Sequence, residues 1–401
     1  MIPFAPPRID DLITDEVVKT LRSGWITTGP RTKDFEKKIT AYCGNKATLC
    51  LNSATAGLEI ILRWFGVKAG DEVILPAYTY SATANVIMHC GAKPVFVDVR
   101  PDDFNIACEA IAAAITPQTK VVMPVDFAGM PCDYDAILSV LENAKGLFRG
   151  ESQEQKQLGR ILLLSDAAHS FGAEYKGKKT GVLADVSVFS FHAVKNLTTA
   201  EGGAVALNLP EPFDNAALYS KLCITTLHGQ NKDALAKTQK GNWRYDIVEA
   251  GYKCNMTDLS AAIGLIELAR YDHDTLVKRR AICLKYSELL SADSRLQLPM
   301  FETGDRKSSF HLYPLRIKNI SEEQRDAIIR EMFDADISVN VHFIPVTSMS
   351  FYKNLGYRTD DFPVTYNNYS REMSLPVFYD LTETQIKLVA DTVLKAVQKI
   401  C

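Results

Sequence analysis

The sequence lacks any marked excess of charge: 45 Lys and Arg stand against 48 Asp and Glu, a net charge of −3. No basic surplus is available to follow a nucleic-acid backbone or to hold the chain on an anionic membrane. Nor does any apolar run approach the roughly 20 residues that span a bilayer. The opening Met1-Ile2-Pro3-Phe4-Ala5-Pro6-Pro7 has neither a basic stretch nor a long apolar one, so no secretory signal is expected. Nine cysteines are scattered singly and never form Cys-x-x-Cys, which argues against a disulfide scaffold and a cysteine-type metal site. With only 22 Gly and 17 Pro in 401 residues, the chain is not of disordered or collagen-like composition either. These absences leave the expectation of a reduced cytoplasmic protein with neither a membrane nor a nucleic-acid partner.

What is present is ordinary globular composition, 47% hydrophobic and 23% charged. A chain of this mass buries roughly three quarters of its unfolded surface, enough for a large core and a second domain. From about residue 70 to 210 short apolar runs recur: Val73-Ile74-Leu75, Pro94-Val95-Phe96-Val97, Val121-Val122-Met123, Ile161-Leu162-Leu163-Leu164, Val186-Ser187-Val188-Phe189 and Ala204-Val205-Ala206. They read as buried strands. Helical segments separate several of them, as where Ile137, Leu138 and Leu141 share a face after Asp133. The pattern predicts an α/β fold with a mostly parallel sheet covered on both sides.

Lys145 to Arg160 has no apolar period and reads as an exposed insertion loop. A helix is predicted to open at Thr257, carry Ala261-Ala262-Ile263-Gly264 and lead by about residue 270 into a charged helix. The domain boundary is placed there: a large domain over 1–270 and a smaller α+β domain over 271–401. In the latter, Phe310 to Leu315 and Ile337 to His342 look like strands. Ser321-x-x-Gln324 and Thr382-x-x-Gln385 match capping boxes. The second leads Ile386, Val389, Val393 and Val397 along one helical stripe.

Three segments carry chemistry. Ser187-Val188-Phe189-Ser190-Phe191-His192-Ala193-Val194-Lys195-Asn196 ends a strand in a polar cluster with one lysine, and a return through Gly202-Gly203 follows. Ser165-Asp166-Ala167-Ala168-His169 puts a carboxylate at the end of another apolar strand, where parallel sheets place ligands. Asn52-Ser53-Ala54-Thr55-Ala56-Gly57 is a small-residue helix start able to offer free N–H groups to a phosphate. Singly, these are equally a solvated surface lysine, a helix N-cap and an ordinary capped helix. Together they supply a phosphate cradle, a carboxylate and a lysine able to form a Schiff base, the set required by pyridoxal 5'-phosphate.

At this point the chain resembles the DegT/DnrJ/EryC1/StrS sugar aminotransferases, which have the fold of the aspartate aminotransferase-like, fold-type I pyridoxal-phosphate enzymes. The resemblance runs nearly end to end, through Gly24-Trp25-Ile26-Thr27-Thr28-Gly29-Pro30, Ser53 to Gly57, Pro76-Ala77-Tyr78-Thr79-Tyr80, Val125-Asp126-Phe127-Ala128-Gly129-Met130-Pro131, Asp166-Ala167-Ala168-His169, Ser190 to Gly203, and Gly251-Tyr252-Lys253-Cys254-Asn255-Met256. It implies a mostly parallel central sheet with a smaller C-terminal domain, and a catalytic Lys195 that carries the cofactor as a Schiff base and shuttles the substrate proton. By the same resemblance Asp166 pairs with the pyridine nitrogen and His169 lies near the phenolic oxygen. Ser190 and the backbone of Thr55 and Ala56 hold the phosphate, and Tyr80 stacks on the ring.

In such enzymes the site lies at a homodimer interface, so Lys253 and Asn255 are expected to reach the phosphate of the partner's site. Relatives often have Asn and Arg at these two positions, and they differ again at Asp126, where His is usual, and at Ala193, where Pro is common. Thr28, Pro30 and His342 are the implied substrate contacts; a second His common in relatives is here Thr347. His192 reads as structural, and His311 and Tyr313 as strand residues of the small domain. The implied reaction moves an amino group from L-glutamate to a nucleotide-linked keto sugar, most closely C4 of a UDP-4-keto-6-deoxyhexose, for surface polysaccharide or glycan decoration. The alternatives are a C3-keto sugar, a cyclitol or related small ketone, and a cofactor-binding regulatory protein without turnover.

Overall fold

The protein is represented by a computed structural model that describes residues 1–232 and 244–401. Its strands, in chain order, are β1 (Ala47–Leu51), β2 (Glu72–Pro76), β3 (Lys93–Val97), β4 (Thr119–Val122), β5 (Leu162–Asp166), β6 (Glu174–Tyr175), β7 (Lys178–Lys179), β8 (Val186–Ser190), β9 (Gly203–Leu207), β10 (Leu296–Gln297), β11 (Arg306–Lys307), β12 (Tyr313–Ile317) and β13 (Glu372–Leu375). Seven form one sheet in the order β1-β9-β8-β5-β4-β2-β3. All its pairings are parallel except those of β9, which is antiparallel to both β1 and β8. Because helices cover both faces, the strands are apolar almost throughout, and β4, β5 and β9 are buried along their whole length.

This arrangement puts the ends of β5 and β8 side by side. The register pairs Asp166, last in β5, with Val188, two residues before Ser190 ends β8. The return strand β9 brings Gly203 opposite both Ser190 and Leu51. Three chain segments thus meet at the carboxyl edge of the sheet, where a crevice forms in folds of this kind.

A second core lies around β10-β12-β13, covered by helices Leu276–Leu290, Glu322–Asp334 and Glu383–Ile400. Both predicted capping boxes are formed, and Ile386, Val389, Val393 and Val397 are buried on one stripe. The N-terminus joins this core: Ile2 is buried in it and bridges Ile337. A small β11-β6-β7 sheet ties residues 306–307 to the hairpin after β5.

Three expectations are corrected. Lys145 to Arg160 is not all loop: Ser152 caps a helix, Gln153–Leu158, whose Gln155 is fully buried and donates to the Phe65 carbonyl at 3.0 Å. The anchor is a side-chain amide, which leaves no apolar period to read. Phe310 to Leu315 becomes a strand only from Tyr313, and Phe310 has φ 56°. Ile337 to His342 forms no strand but single bridges, Ile337 to Ile2 and Asn340 to Ser374. Near residue 270 the helix Asp258–Ala269 passes through one wide turn, Tyr271–Thr275, into Leu276–Leu290.

The small-residue run after Thr257 has a packing reason. A Cβ on Gly264 would lie 2.5 Å from the Phe35 ring, so the helix sits against Pro30–Cys43 at a separation only glycine allows. Gly264→Leu is expected to destabilise the fold by about 1–3 kcal/mol through overpacking, read from the urea midpoint. An unchanged midpoint would show that the two helices part without cost.

Candidate active site

Ser53 is extended and caps the helix Ala54–Trp64, its Oγ accepting from the Ala56 N–H at 3.1 Å. Ala54 and Thr55 lie in the first turn, where N–H groups have no acceptor within the helix. Close packing aims that turn. A Cβ on Gly57 would meet Val188 and Val205 at 2.9 Å, and one on Gly203 would stand 2.4 Å from the Ala54 nitrogen. Glycine at these positions lets the helix start press against the ends of β8 and β9.

In front of it opens a cavity of about 360 Å³. Ser53, Thr55, Tyr80, Asp166, His169, Ser190, Lys195 and His342 all line it, together with Phe4, His311 and Phe343. Lys195 follows β8 in a turn closed by its N–H to the His192 carbonyl at 2.9 Å. Its amine is pushed down to about 8, because burial disfavours the cation and the attraction of Asp166 only partly compensates. A lysine so placed is neutral for part of the time near physiological pH, as a nucleophilic or proton-transferring amine must be.

Asp166 is buried. Its Oδ2 accepts from Thr83 Oγ1 at 2.8 Å and its Oδ1 from the Ala168 N–H at 3.2 Å. No cationic side chain is within ion-pair distance among the described residues, and burial raises its pKa above the ordinary value. The anion is held by neutral donors and faces the cavity. That is the environment a protonated pyridine nitrogen would complete. With a carbonyl-reactive amine, a first-turn helix terminus and the Ser190 hydroxyl around the same cavity, the residues present fit pyridoxal phosphate.

The wall beside them is aromatic. His169 Nδ1 accepts from the Ala128 N–H at 3.3 Å, which places the proton of the neutral ring on Nε2. His169 packs on Phe343, centroids 5.7 Å apart, and on His311 at 4.4 Å. Burial pushes both imidazoles well below the usual histidine value. Tyr80 is 62% exposed, its ring 5.8 Å from that of Phe343.

His311 and Thr83 were not singled out from the sequence as site residues. His311 was read as a small-domain strand residue, but it precedes β12 and lines the cavity. Its Nδ1 bonds Asn196 Oδ1 at 2.8 Å, next to Lys195, while Asn196 Nδ2 donates to the Ser309 carbonyl at 2.7 Å. Only the docking of residues 309–312 on the Phe127–Gly129 turn reveals this, through Ser309 N–H to Gly129 O at 3.0 Å. Asp126, where relatives have His, anchors that same region from the core. It accepts from the Cys132 N–H at 2.8 Å, Tyr134 Oη at 2.9 Å and Ser170 Oγ at 2.7 Å.

Five predicted residues lie outside the cavity lining. The Ala56 N–H is spent on Ser53, and Pro30 is exposed at the first position of its helix. Lys253, Asn255 and Thr28 form a separate cluster: Lys253 Nζ donates to Asn255 Oδ1, Asn255 Nδ2 to Thr28 Oγ1, and Thr28 Oγ1 to the Met256 carbonyl.

Condensation of the apo-protein with pyridoxal phosphate, trapped by borohydride and mapped by mass spectrometry, is expected at Lys195. Its rate should rise with pH and level off above about 8. A rate still climbing at about pH 10 would indicate an ordinary exposed amine. Lys195→Ala should abolish the adduct.

A profile of the DegT/DnrJ/EryC1/StrS aminotransferase family matches residues 7–394. SpsC of Bacillus subtilis, named a spore coat polysaccharide biosynthesis protein, is 38% identical, with 100% of this chain and 97% of SpsC covered. Spr1654 of Streptococcus pneumoniae, described as a sugar aminotransferase and solved in a PMP form, superposes with a TM-score of 0.97 at 44% identity over the whole of both chains. Its PLP form gives 0.95 at 43%, covering 100% of this chain and 99% of that one. PseC of Helicobacter pylori, an aminotransferase involved in pseudoaminic acid biosynthesis, gives 0.87 at 27% identity, with 99% of each chain covered. This chain belongs to the DegT/DnrJ/EryC1/StrS aminotransferase family and is a PLP-dependent aminotransferase of fold type I.

Proposed function

We propose that the protein transfers the amino group of L-glutamate to C4 of a UDP-linked 4-keto-6-deoxyhexose, feeding surface polysaccharide or glycan synthesis. The observation that carries amino transfer is the pairing, across one cavity, of a partly neutral Lys195 with the buried Asp166 anion. The polysaccharide and sugar-acid roles in the names of SpsC and PseC support a nucleotide-sugar acceptor.

Pyridoxal phosphate, when bound, supplies an electron sink that lets a hydrogen leave the substrate carbon as a proton. The chain supplies the rest. The helix start at Ala54 and Thr55 and the Ser190 hydroxyl would hold the cofactor's phosphate. Asp166 would pair with its ring nitrogen, His169 would face its phenolic oxygen and Tyr80 would pack on its ring. Lys195 takes the proton from the amino donor's α-carbon and returns one to C4 of the keto sugar.

Lys253 and Asn255 are assigned to the phosphate of a partner subunit in a homodimer, and Thr28, Pro30 and His342 to the sugar substrate. A shared site is supported by the exposed apolar Ile247, Val248 and Tyr252 in the segment that carries Lys253. Residues 1–270 act as the cofactor domain and 271–401 as the small domain, in a cytoplasmic enzyme; no helix among the described residues is long and apolar enough to cross a membrane.

Purified enzyme with L-glutamate should release 2-oxoglutarate, and the aminated form should be discharged fastest by the UDP-linked 4-keto-6-deoxyhexose in a panel with dTDP- and GDP-linked 4-keto sugars, a 3-keto sugar and a cyclitol ketone. Preferential discharge by another member replaces the acceptor assigned here. Failure to release 2-oxoglutarate overturns glutamate as the donor.

A further inference from the structure

Behind the cavity wall formed by His342 runs a chain of hydrogen bonds that none of these roles uses. His342 Nδ1 is 2.9 Å from Ser374 Oγ, and Ser374 Oγ is 2.5 Å from Glu372 Oε1. The other carboxyl oxygen, Oε2, accepts from the His342 backbone N–H at 3.0 Å. Glu372 and Ser374 alternate on β13, so their side chains share one face of the strand, and both are fully buried. His342 is fixed from its ring face by Phe4, centroids 5.5 Å apart, and at its carbonyl by the Tyr78 hydroxyl.

The charged groups around Glu372 do not pair with it. Arg325, from the helix Glu322–Asp334, gives Nη1 to the carbonyls of Tyr369 and Glu372 and Nε to Asp326. Arg316, on β12, is spent on Asn368 Oδ1 and the carbonyls of Pro101 and Asp102. Arg371 acts on Arg316, Tyr78 stands by the carboxyl, and Lys195 and His169 face His342 from the cavity side. Burial pushes the Glu372 carboxyl up to about 8 and the His342 ring down to about 3, so the ring stays neutral while the carboxyl titrates.

The bond pattern dictates where the protons lie. Oε2 faces an N–H in either state, so only Oε1 carries the acidic proton. With Glu372 protonated, Oε1–H donates to Ser374 Oγ, the serine proton points to His342 Nδ1, and the imidazole proton sits on Nε2. With Glu372 ionised, Ser374 donates back to Oε1 and accepts from His342 Nδ1–H, leaving a lone pair on Nε2. One proton leaves the three groups between these states, and the imidazole is neutral in both. Nε2 has no protein partner among the described residues and belongs to a ring that lines the cavity.

We propose that Glu372, acting through Ser374, is a positioning residue that decides which nitrogen of His342 carries the proton. The protonated carboxyl presents Nε2–H to an acceptor oxygen of the bound substrate, and the ionised one withdraws that donor. The tautomer relay stands by itself; the substrate contact rests on the amino-transfer reading above. The acceptor oxygen is the donor's carboxylate or an oxygen of the keto sugar, and the two half-reactions tell them apart.

The test follows histidine ¹⁵N shifts in the holoenzyme, with His342→Asn used to assign the signal. In the wild type the His342 proton should sit on Nε2 at about pH 6.5 and on Nδ1 at about pH 9.5, with a midpoint near 8. Glu372→Gln, whose amide still donates to Ser374, should hold the Nε2–H form throughout, and Ser374→Ala should uncouple the tautomer from the carboxyl. Over the same range KM in one half-reaction should rise about tenfold in the wild type and stay flat in Glu372→Gln, as for loss of one hydrogen bond. A single wild-type tautomer at all pH values overturns the relay, whichever variants fold. A tautomer change with no KM limb in either half-reaction overturns the substrate contact. Absence of amino transfer with the tautomer change intact counts against the function and leaves the relay standing.

Discussion

The parallel pairing of β5 with β8 is the constraint on which the site depends. Its register sets Asp166 against Val188, so one strand ends in a carboxylate while the next ends in Ser190 and turns, five residues on, to Lys195. Burying a carboxylate without a paired cation is unfavourable, and here the Thr83 hydroxyl, one backbone N–H and the more distant Lys195 offset it in part. The same burial lowers the pKa of Lys195. One low-dielectric strand end thereby produces both an anion suited to a cationic ring and an amine that can lose its proton.

The rest of the cavity is assembled onto that edge by close approach and by satisfied polar groups. Gly57 and Gly203 let a helix terminus touch the sheet, where a methyl group would collide with backbone or packed side chains. Asp126 collects three donors and steadies the turn to which residues 309–312 bind, and these carry His311 to Asn196 beside Lys195. From the C-terminal half, His342 arrives with Ser374 and Glu372 behind it; from the N-terminus, Phe4 stacks on the same ring. The wall histidines His169, His311 and His342 are each held by a bond to a residue distant in sequence.

This explains what could be read from sequence and what could not. Lys195, Asp166, Ser190 and the Ser53 helix start are legible because each sits at the end of a regular element whose apolar run announces it. The buried Gln155 is not, since an amide bonded to the Phe65 carbonyl leaves no hydrophobic period. Ile337, Val339 and Val341 alternate as a strand should, yet the segment finds only single bridges to Ile2 and Ser374. Alternation records which side is buried, and a strand also needs a neighbour with free backbone groups. His311 looked like any strand histidine because its role depends on Asn196, 115 residues away.

By itself the sequence determined the element types, the small residues that permit close contact and the supply of one reactive lysine, one strand-end carboxylate and one helix start; these follow from local periodicity and side-chain chemistry. Only the tertiary structure decided that they share one cavity, that Lys195 loses part of its affinity for a proton and that Glu372 faces His342 through a serine. Proton affinity and hydrogen-bond direction depend on dielectric surroundings and on partners in space, and residue order alone specifies neither.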